Sequence, residues 1–158
     1  MTIKINEGDI FVVPIRDNRF VFGKVLTNSW GFYDLISKTP SIDLNSLTDV
    51  GIAFKIWVSN FPIKKGAWKV IGNLPLSKGE SEISYFYKQD KINNKLWKTV
   101  TGAEEIPVSI EECENLELAA VYDPEHVIER LEYYFSQEND PNIEYDKKVL
   151  REKGVSTI

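Results

Sequence analysis

The chain begins with short apolar runs separated by turn-forming residues about every ten positions, and ends with two stretches of helical period. Ile10-Phe11-Val12-Val13-Pro14-Ile15 is the first apolar run. Arg16-Asp17-Asn18-Arg19 follows it, and Asp and Asn tolerate the left-handed backbone of a tight turn. Phe20 to Leu26 then resumes the apolar pattern, which predicts a hairpin. Gly23 inside the second strand predicts a bulge or a close backbone approach. Phe32 to Ile36 and Ile52 to Val58 are further strands. In the latter, Ile52, Phe54, Ile56 and Val58 alternate with Ala53, Lys55 and Trp57, the period of a half-buried strand. Thr39 to Asp49 is polar and reads as a loop or a short helix. Ser84 to Lys88 and Leu96 to Val100 flank the turn signal Asn93-Asn94, and Ile106 to Ile110 and Leu116 to Val121 read as edge strands. Helices are predicted only near the end. Asp123 and Asp140 are N-cap residues, each followed by a proline suited to the first helical position. Val127, Ile128, Leu131, Tyr134 and Phe135 then share one face. The second helix carries Ile143, Val149 and Leu150 and stops near Gly154.

This order of elements predicts an α+β fold: a bent antiparallel sheet or partial barrel, SH3-like at its start, with one or two C-terminal helices. With 158 residues, 42% of them hydrophobic, the chain is read as a single domain over 1–158, mainly strands over 8–100 and acidic strands and helices over 101–158. Four Trp, seven Tyr and eight Phe supply a substantial core. Cys113 is the only cysteine, which excludes an internal disulfide and fits a reducing, cytoplasmic setting. The N-terminal residues lack a signal-peptide apolar core, and the longest apolar run is far short of the ~20 residues of a membrane span.

Charge changes the picture. Residues 1–100 hold fourteen Lys/Arg against nine Asp/Glu, whereas residues 101–158 hold five against fifteen. Glu104, Glu105, Glu111, Glu112, Glu114 and Glu117 fall within fourteen residues, followed by Asp123, Glu125, Glu129 and Glu132. Such a segment either packs against the basic body or presents a negative docking face to a basic protein.

Other chemistry is poorly served. One His and one Cys cannot build the usual zinc sphere, and no calcium-loop spacing occurs, so no metal or other cofactor is expected. Cys113 with His126 would be the only nucleophile–base pair. A buried thiol and a helix-start histidine explain them better, so an enzyme is not expected. Lys64, Lys65, Lys69, Lys88, Lys91, Lys95 and Lys98 interleave with Trp68, Tyr85, Tyr87 and Trp97, the pattern of a nucleic-acid platform. The acidic final third would repel a phosphate backbone, which makes nucleic acid the weaker partner.

Gly8-Asp9-Ile10-Phe11 followed by Pro14, then Phe22-Gly23-Lys24-Val25-Leu26, then Gly66-Ala67-Trp68-Lys69-Val70-Ile71-Gly72-Asn73-Leu74-Pro75-Leu76, then Tyr85-Phe86-Tyr87-Lys88-Gln89-Asp90, resemble in order the immunity-protein 26 family. The resemblance spans roughly residues 8–100. It implies a cytoplasmic protein that protects its producer by binding the secreted toxin domain of a bacterial polymorphic-toxin system. Ile83-Ser84 stands where the family pattern often has a proline. The family blocks read as scaffold, with Phe11, Val25, Trp68, Ile71 and Phe86 as core. The final third matches no family motif, so the ten carboxylates are chosen on charge alone. They would stand in for phosphates if the toxin is a basic nuclease. The alternative is a small-barrel module gripping nucleic acid through the Lys64–Lys98 face. Sequence leaves the oligomeric state open.

Overall fold

The computed structural model describes residues 3–158. The chain folds as two compact units. One runs to Glu82 and adds Val121–Gln137; the other comprises Ile83–Ala120 and Glu138–Ile158.

The first unit opens with β1 (Asp9–Ile15), β2 (Arg19–Val25), β3 (Trp30–Ser37) and β4 (Ile52–Val58), an antiparallel meander. Asp17 and Asn18, at φ 63° and 54°, form the turn between β1 and β2. That is the two-residue left-handed turn the sequence predicts, and its twist matches the flanking strands. A 3-10 turn at Leu44–Leu47 falls in the polar stretch before β4. After the one-turn helix α1 (Phe61–Lys64), β5 (Lys69–Asn73) returns to pair antiparallel with β1. The one-turn helix α2 (Lys78–Ser81) follows.

The second unit begins with β6 (Phe86–Gln89), β7 (Leu96–Thr99) and β8 (Ile106–Pro107), then the one-turn helix α3 (Ile110–Cys113) and β9 (Glu117–Leu118). The chain returns to the first unit with β10 (Val121–Tyr122) and α4 (Pro124–Ser136), and ends in the second with α5 (Pro141–Lys153). The first sheet has the order β10-β4-β3-β2-β1-β5 and is strongly curled into a half-barrel; the second has the order β8-β7-β6-β9. The fold is α+β.

Both faces of β1 are covered, which is why it reads as a continuous apolar run. Phe11, Val13 and Ile15 face a core shared with Trp30, Phe32, Phe54, Trp68 and the α4 residues Val127 and Leu131. Ile10 and Val12 face a second layer with Phe22, Tyr33 and Leu47. Gly23 sits at a register shift between β2 and β3, and a Cβ built on it would lie 2.3 Å from the Phe11 ring. Its lack of a side chain is therefore a packing requirement. The second unit has its own small core of Tyr87, Leu96, Val108, Cys113 and Leu150.

Three local expectations change. Ile110 does not continue β8: the Ser109 hydroxyl accepts from the Glu112 amide at 3.2 Å and caps α3 instead. The predicted strand over Leu116–Val121 becomes two separate two-residue pairings, both parallel, β9 with β6 and β10 with β4. The alternation of β4 also breaks. A register shift at Phe32/Tyr33 places Ile52 against the Tyr33 layer, while Phe54 and Ile56 face the Phe11 layer.

Candidate functional site

The ten sequence-predicted carboxylates divide between the units. Glu104, Glu105, Glu111, Glu112, Glu114 and Glu117 lie in the second; Asp123, Glu125, Glu129 and Glu132 lie in the first. Several are engaged within the chain. Lys98 donates to Glu112 at 2.7 Å. Arg151 grips Glu114 with two bonds, Nε to Oε1 at 2.7 Å and Nη2 to Oε2 at 3.0 Å, and holds that carboxyl below its ordinary range. Arg19 Nη2 donates to Glu132 Oε1 at 2.6 Å. Glu117 and Glu129 also interact within the chain. Asp123 occupies the N-cap of α4 without a side-chain cap bond, and its Oδ2 lies 3.8 Å from His126 Nδ1. Glu105, Glu111 and Glu125 are exposed, and among the described residues none of them has an internal ion-pair partner.

Glu104 organises its own turn. Its Oε1 accepts from Thr99 Oγ1 at 2.6 Å and from the amides of Val100 and Thr101 at 2.9 Å each; its Oε2 accepts from Thr101 Oγ1 at 2.6 Å. The Thr101 hydroxyl, the Thr101 amide and the Thr99 hydroxyl all favour the ionised carboxylate and hold its pKa well below the usual range. A folded pKa below the unfolded value means this stabilisation is complete above the ordinary carboxylate pKa and is lost as pH falls through the folded value. Acid melting curves from pH 5 to pH 2 are therefore expected to be shallower for Glu104→Gln than for the parent protein. Identical slopes would remove Glu104 from the acid-sensitive set.

Cys113 and His126 lie in different units. The Cys113 side chain is fully buried, and burial pushes the thiol up to about 11, so it stays protonated at neutral pH. Lys147 lies close by. Its Nζ donates to the carbonyls of Cys113 (3.0 Å), Glu114 (3.1 Å) and Leu116 (2.8 Å), closing the turn after α3. The lysine-rich stretch is also partly engaged: Lys88 donates to the Gly102 carbonyl, and Lys98 holds Glu112. Trp68 and Tyr87 are buried, so neither offers a face on which a base can stack.

Sequence reading misses a cleft of about 550 Å³ in the first unit. Leu47, Val50, Ile52, Leu74 and Leu76 contribute apolar walls. Lys24 reaches it from β2, almost wholly buried, and its Nζ donates to Glu80 Oε1 at 2.8 Å and to the Pro75 carbonyl at 3.1 Å. Glu80 also closes a capping box with Ser77 at the start of α2. Burial opposes ionisation of Glu80, but the bonds from Lys24 and Ser77 outweigh it and lower its pKa. Tyr33 lies beside them. Burial, and then the Glu80 charge, raise its pKa, so the hydroxyl remains a donor. The legible signal was Ser77-x-x-Glu80, a capping-box spacing.

The first unit carries the ordered glycine and tryptophan blocks of the sequence, and β6 of the second unit carries the aromatic block. A family model described as immunity protein 26 matches residues 6–98, more than half of the chain. The chain belongs to the immunity protein 26 family. Membership indicates a toxin-neutralising role with a toxin as partner. No curated protein and no solved structure matches the chain. Of the predicted scaffold residues of this immunity protein, Phe11, Val25, Trp68 and Phe86 are buried and Ile71 is partly buried against the Tyr33 layer. Among the described residues, no helix is long and apolar enough to cross a membrane.

Proposed function

We propose that this immunity protein neutralises a cognate bacterial toxin by stoichiometric binding that occludes the toxin's active or substrate-binding face, without catalysis of its own and in the cytoplasm of the producing cell. The family match over residues 6–98 carries this reading. The proposed partner is a basic toxin domain such as a nuclease. The ten carboxylates remain the proposed contact set, with a graded role. Glu105, Glu111, Asp123 and Glu125 are exposed and act outward. Glu104, Glu112, Glu114 and Glu132 chiefly hold their own units together while adding to the negative field.

Charge of this kind raises the association rate more than it lengthens residence. The test uses the toxin encoded by the neighbouring gene. Neutralising the four exposed positions together (Glu105→Gln, Glu111→Gln, Asp123→Asn, Glu125→Gln) is expected to slow association by about tenfold at low salt and to flatten its salt dependence. These positions break none of the short ion pairs, so the fold should persist. An unchanged rate at every salt concentration would remove the acidic surface from the mechanism. Absence of binding by the parent protein, and absence of protection in cells, would overturn the function itself.

A further inference from the structure

The cleft between the 3-10 turn and the loop into α2 has features that core packing alone does not require. Tyr33 is 2% exposed as a residue, but its hydroxyl is not sealed inside the protein: no buried polar side-chain atom among the described residues lacks a partner, and Tyr33 lines the cleft. A phenol hydroxyl open to a cleft is free to donate to whatever occupies it. It lines the cleft together with Lys24, whose ammonium has three N–H donors and gives two of them to Glu80 and Pro75. Two deeply placed donors thus meet one space, and neither is saturated by the protein.

The size and lining narrow what fits. About 550 Å³ lies within the range of ligand pockets, roughly 300–1,000 Å³, and several aliphatic side chains wall it. The charges that border it are Lys24, Lys55, Glu80 and Glu82, two of each sign. Lys24 and Glu80 neutralise each other, and Lys55 donates to the Gly79 carbonyl. A charged occupant would lose its hydration without meeting a net opposite charge, which is unfavourable. A neutral acceptor oxygen on an apolar body satisfies the donors and the walls together. Among protein partners, that description fits an extended segment with aliphatic side chains whose amide carbonyl points at Tyr33.

We propose that this cleft is the anchoring site of the toxin: it takes an uncharged, aliphatic segment of the toxin chain, with an amide carbonyl accepting from the Tyr33 hydroxyl and the spare Lys24 N–H. This rests on the toxin-binding reading above and names the part of the partner that is held. Tyr33 belongs to the sheet layer opposite the one covered by α4. The anchor is thus separate from the carboxylates of α4, and the two surfaces have different kinetic roles. Carboxylates speed encounter, and a desolvated pocket slows departure.

Gly51 and Gly79 provide the test. Both line the cleft, neither has the left-handed φ that penalises a side chain, and a Cβ on either meets nothing within 4 Å. Gly51→Leu and Gly79→Leu add apolar bulk to the lining at positions where the first side-chain atom meets no protein atom. Tyr33→Phe removes only the hydroxyl. Binding of the full-length variants to the neighbour-encoded toxin would be followed by surface plasmon resonance, with thermal melts of the free proteins as the folding control. A folded glycine variant is expected to dissociate about a hundredfold faster with little change in association rate, and Tyr33→Phe about tenfold faster. If both folded glycine variants match the parent, the anchoring site is overturned while toxin binding stands. If they weaken but Tyr33→Phe does not, the carbonyl–phenol contact is overturned. If the parent protein itself does not bind, the functional reading falls first and takes the anchor with it.

Discussion

Trp68→Ala is expected to destabilise the first unit by about 3–5 kcal/mol, the usual cost of removing a buried tryptophan ring. The ring is 3% exposed and stacks on Phe11 with centroids 5.8 Å apart and an interplanar angle of 3°. Trp30 meets both, 5.0 Å from Phe11 and 6.5 Å from Trp68. These three rings come from β1, the start of β3 and the residue before β5. Trp68 therefore fixes where β5 returns to β1 and curls the sheet, and its amide, donating to Pro62 at 3.0 Å, ties it to α1. Chemical denaturation monitored by near-ultraviolet circular dichroism would show the loss as a lower midpoint and a weaker aromatic signal. Trp68→Phe should recover part of it, because a smaller ring can still stack on Phe11. A Trp68→Ala cost below 1 kcal/mol would mean that the curl of the sheet does not depend on this stack.

The features legible in the sequence were those fixed by neighbours along the chain. Asp17-Asn18 determines a two-residue turn by backbone preference alone, and Asp140-Pro141 starts α5 by a cap and a pre-set φ. Gly23 was legible as an anomaly, but its reason, the Phe11 ring, comes from the neighbouring strand. What escaped depends on distant partners. The segment from Leu116 to Val121 reads as one edge strand, yet Glu117–Leu118 pair in one sheet and Val121–Tyr122 in the other. Composition does not record that division. The charge asymmetry was visible as a count, but not its use: Arg19 to Glu132 spans 113 positions, and Lys98 to Glu112 closes across fourteen. The cleft was invisible because Tyr33 and Lys24 sit in strands that read as ordinary sheet. Only the register and the turn after β5 bring Glu80 to them.

Lys24 sits within an apolar strand, and the structure buries it against Glu80. Lys24→Ala is expected to cost about 2–3 kcal/mol at neutral pH. That is less than the ~3–5 kcal/mol of a wholly buried broken pair, because the Glu80 side chain keeps 16% of its exposure and some hydration. The sign of the pH dependence follows from the pair. In the parent protein Lys24 and Ser77 hold the Glu80 pKa below its unfolded value, so the stabilisation is complete at neutral pH and is lost as pH falls through the folded pKa. In Lys24→Ala, burial acts on Glu80 without its cation. The folded pKa rises relative to the parent, and the carboxylate loses its advantage in the folded state. The deficit of the variant should therefore be largest at neutral pH and shrink as pH falls through the folded Glu80 pKa of the parent. Lys24→Ala with Glu80→Gln removes the unpaired charge and should restore much of the loss at pH 7, with a restoration that diminishes as pH falls. A deficit independent of pH, undiminished in the double variant, would mean that the lysine stem and not its charge stabilises the cleft floor.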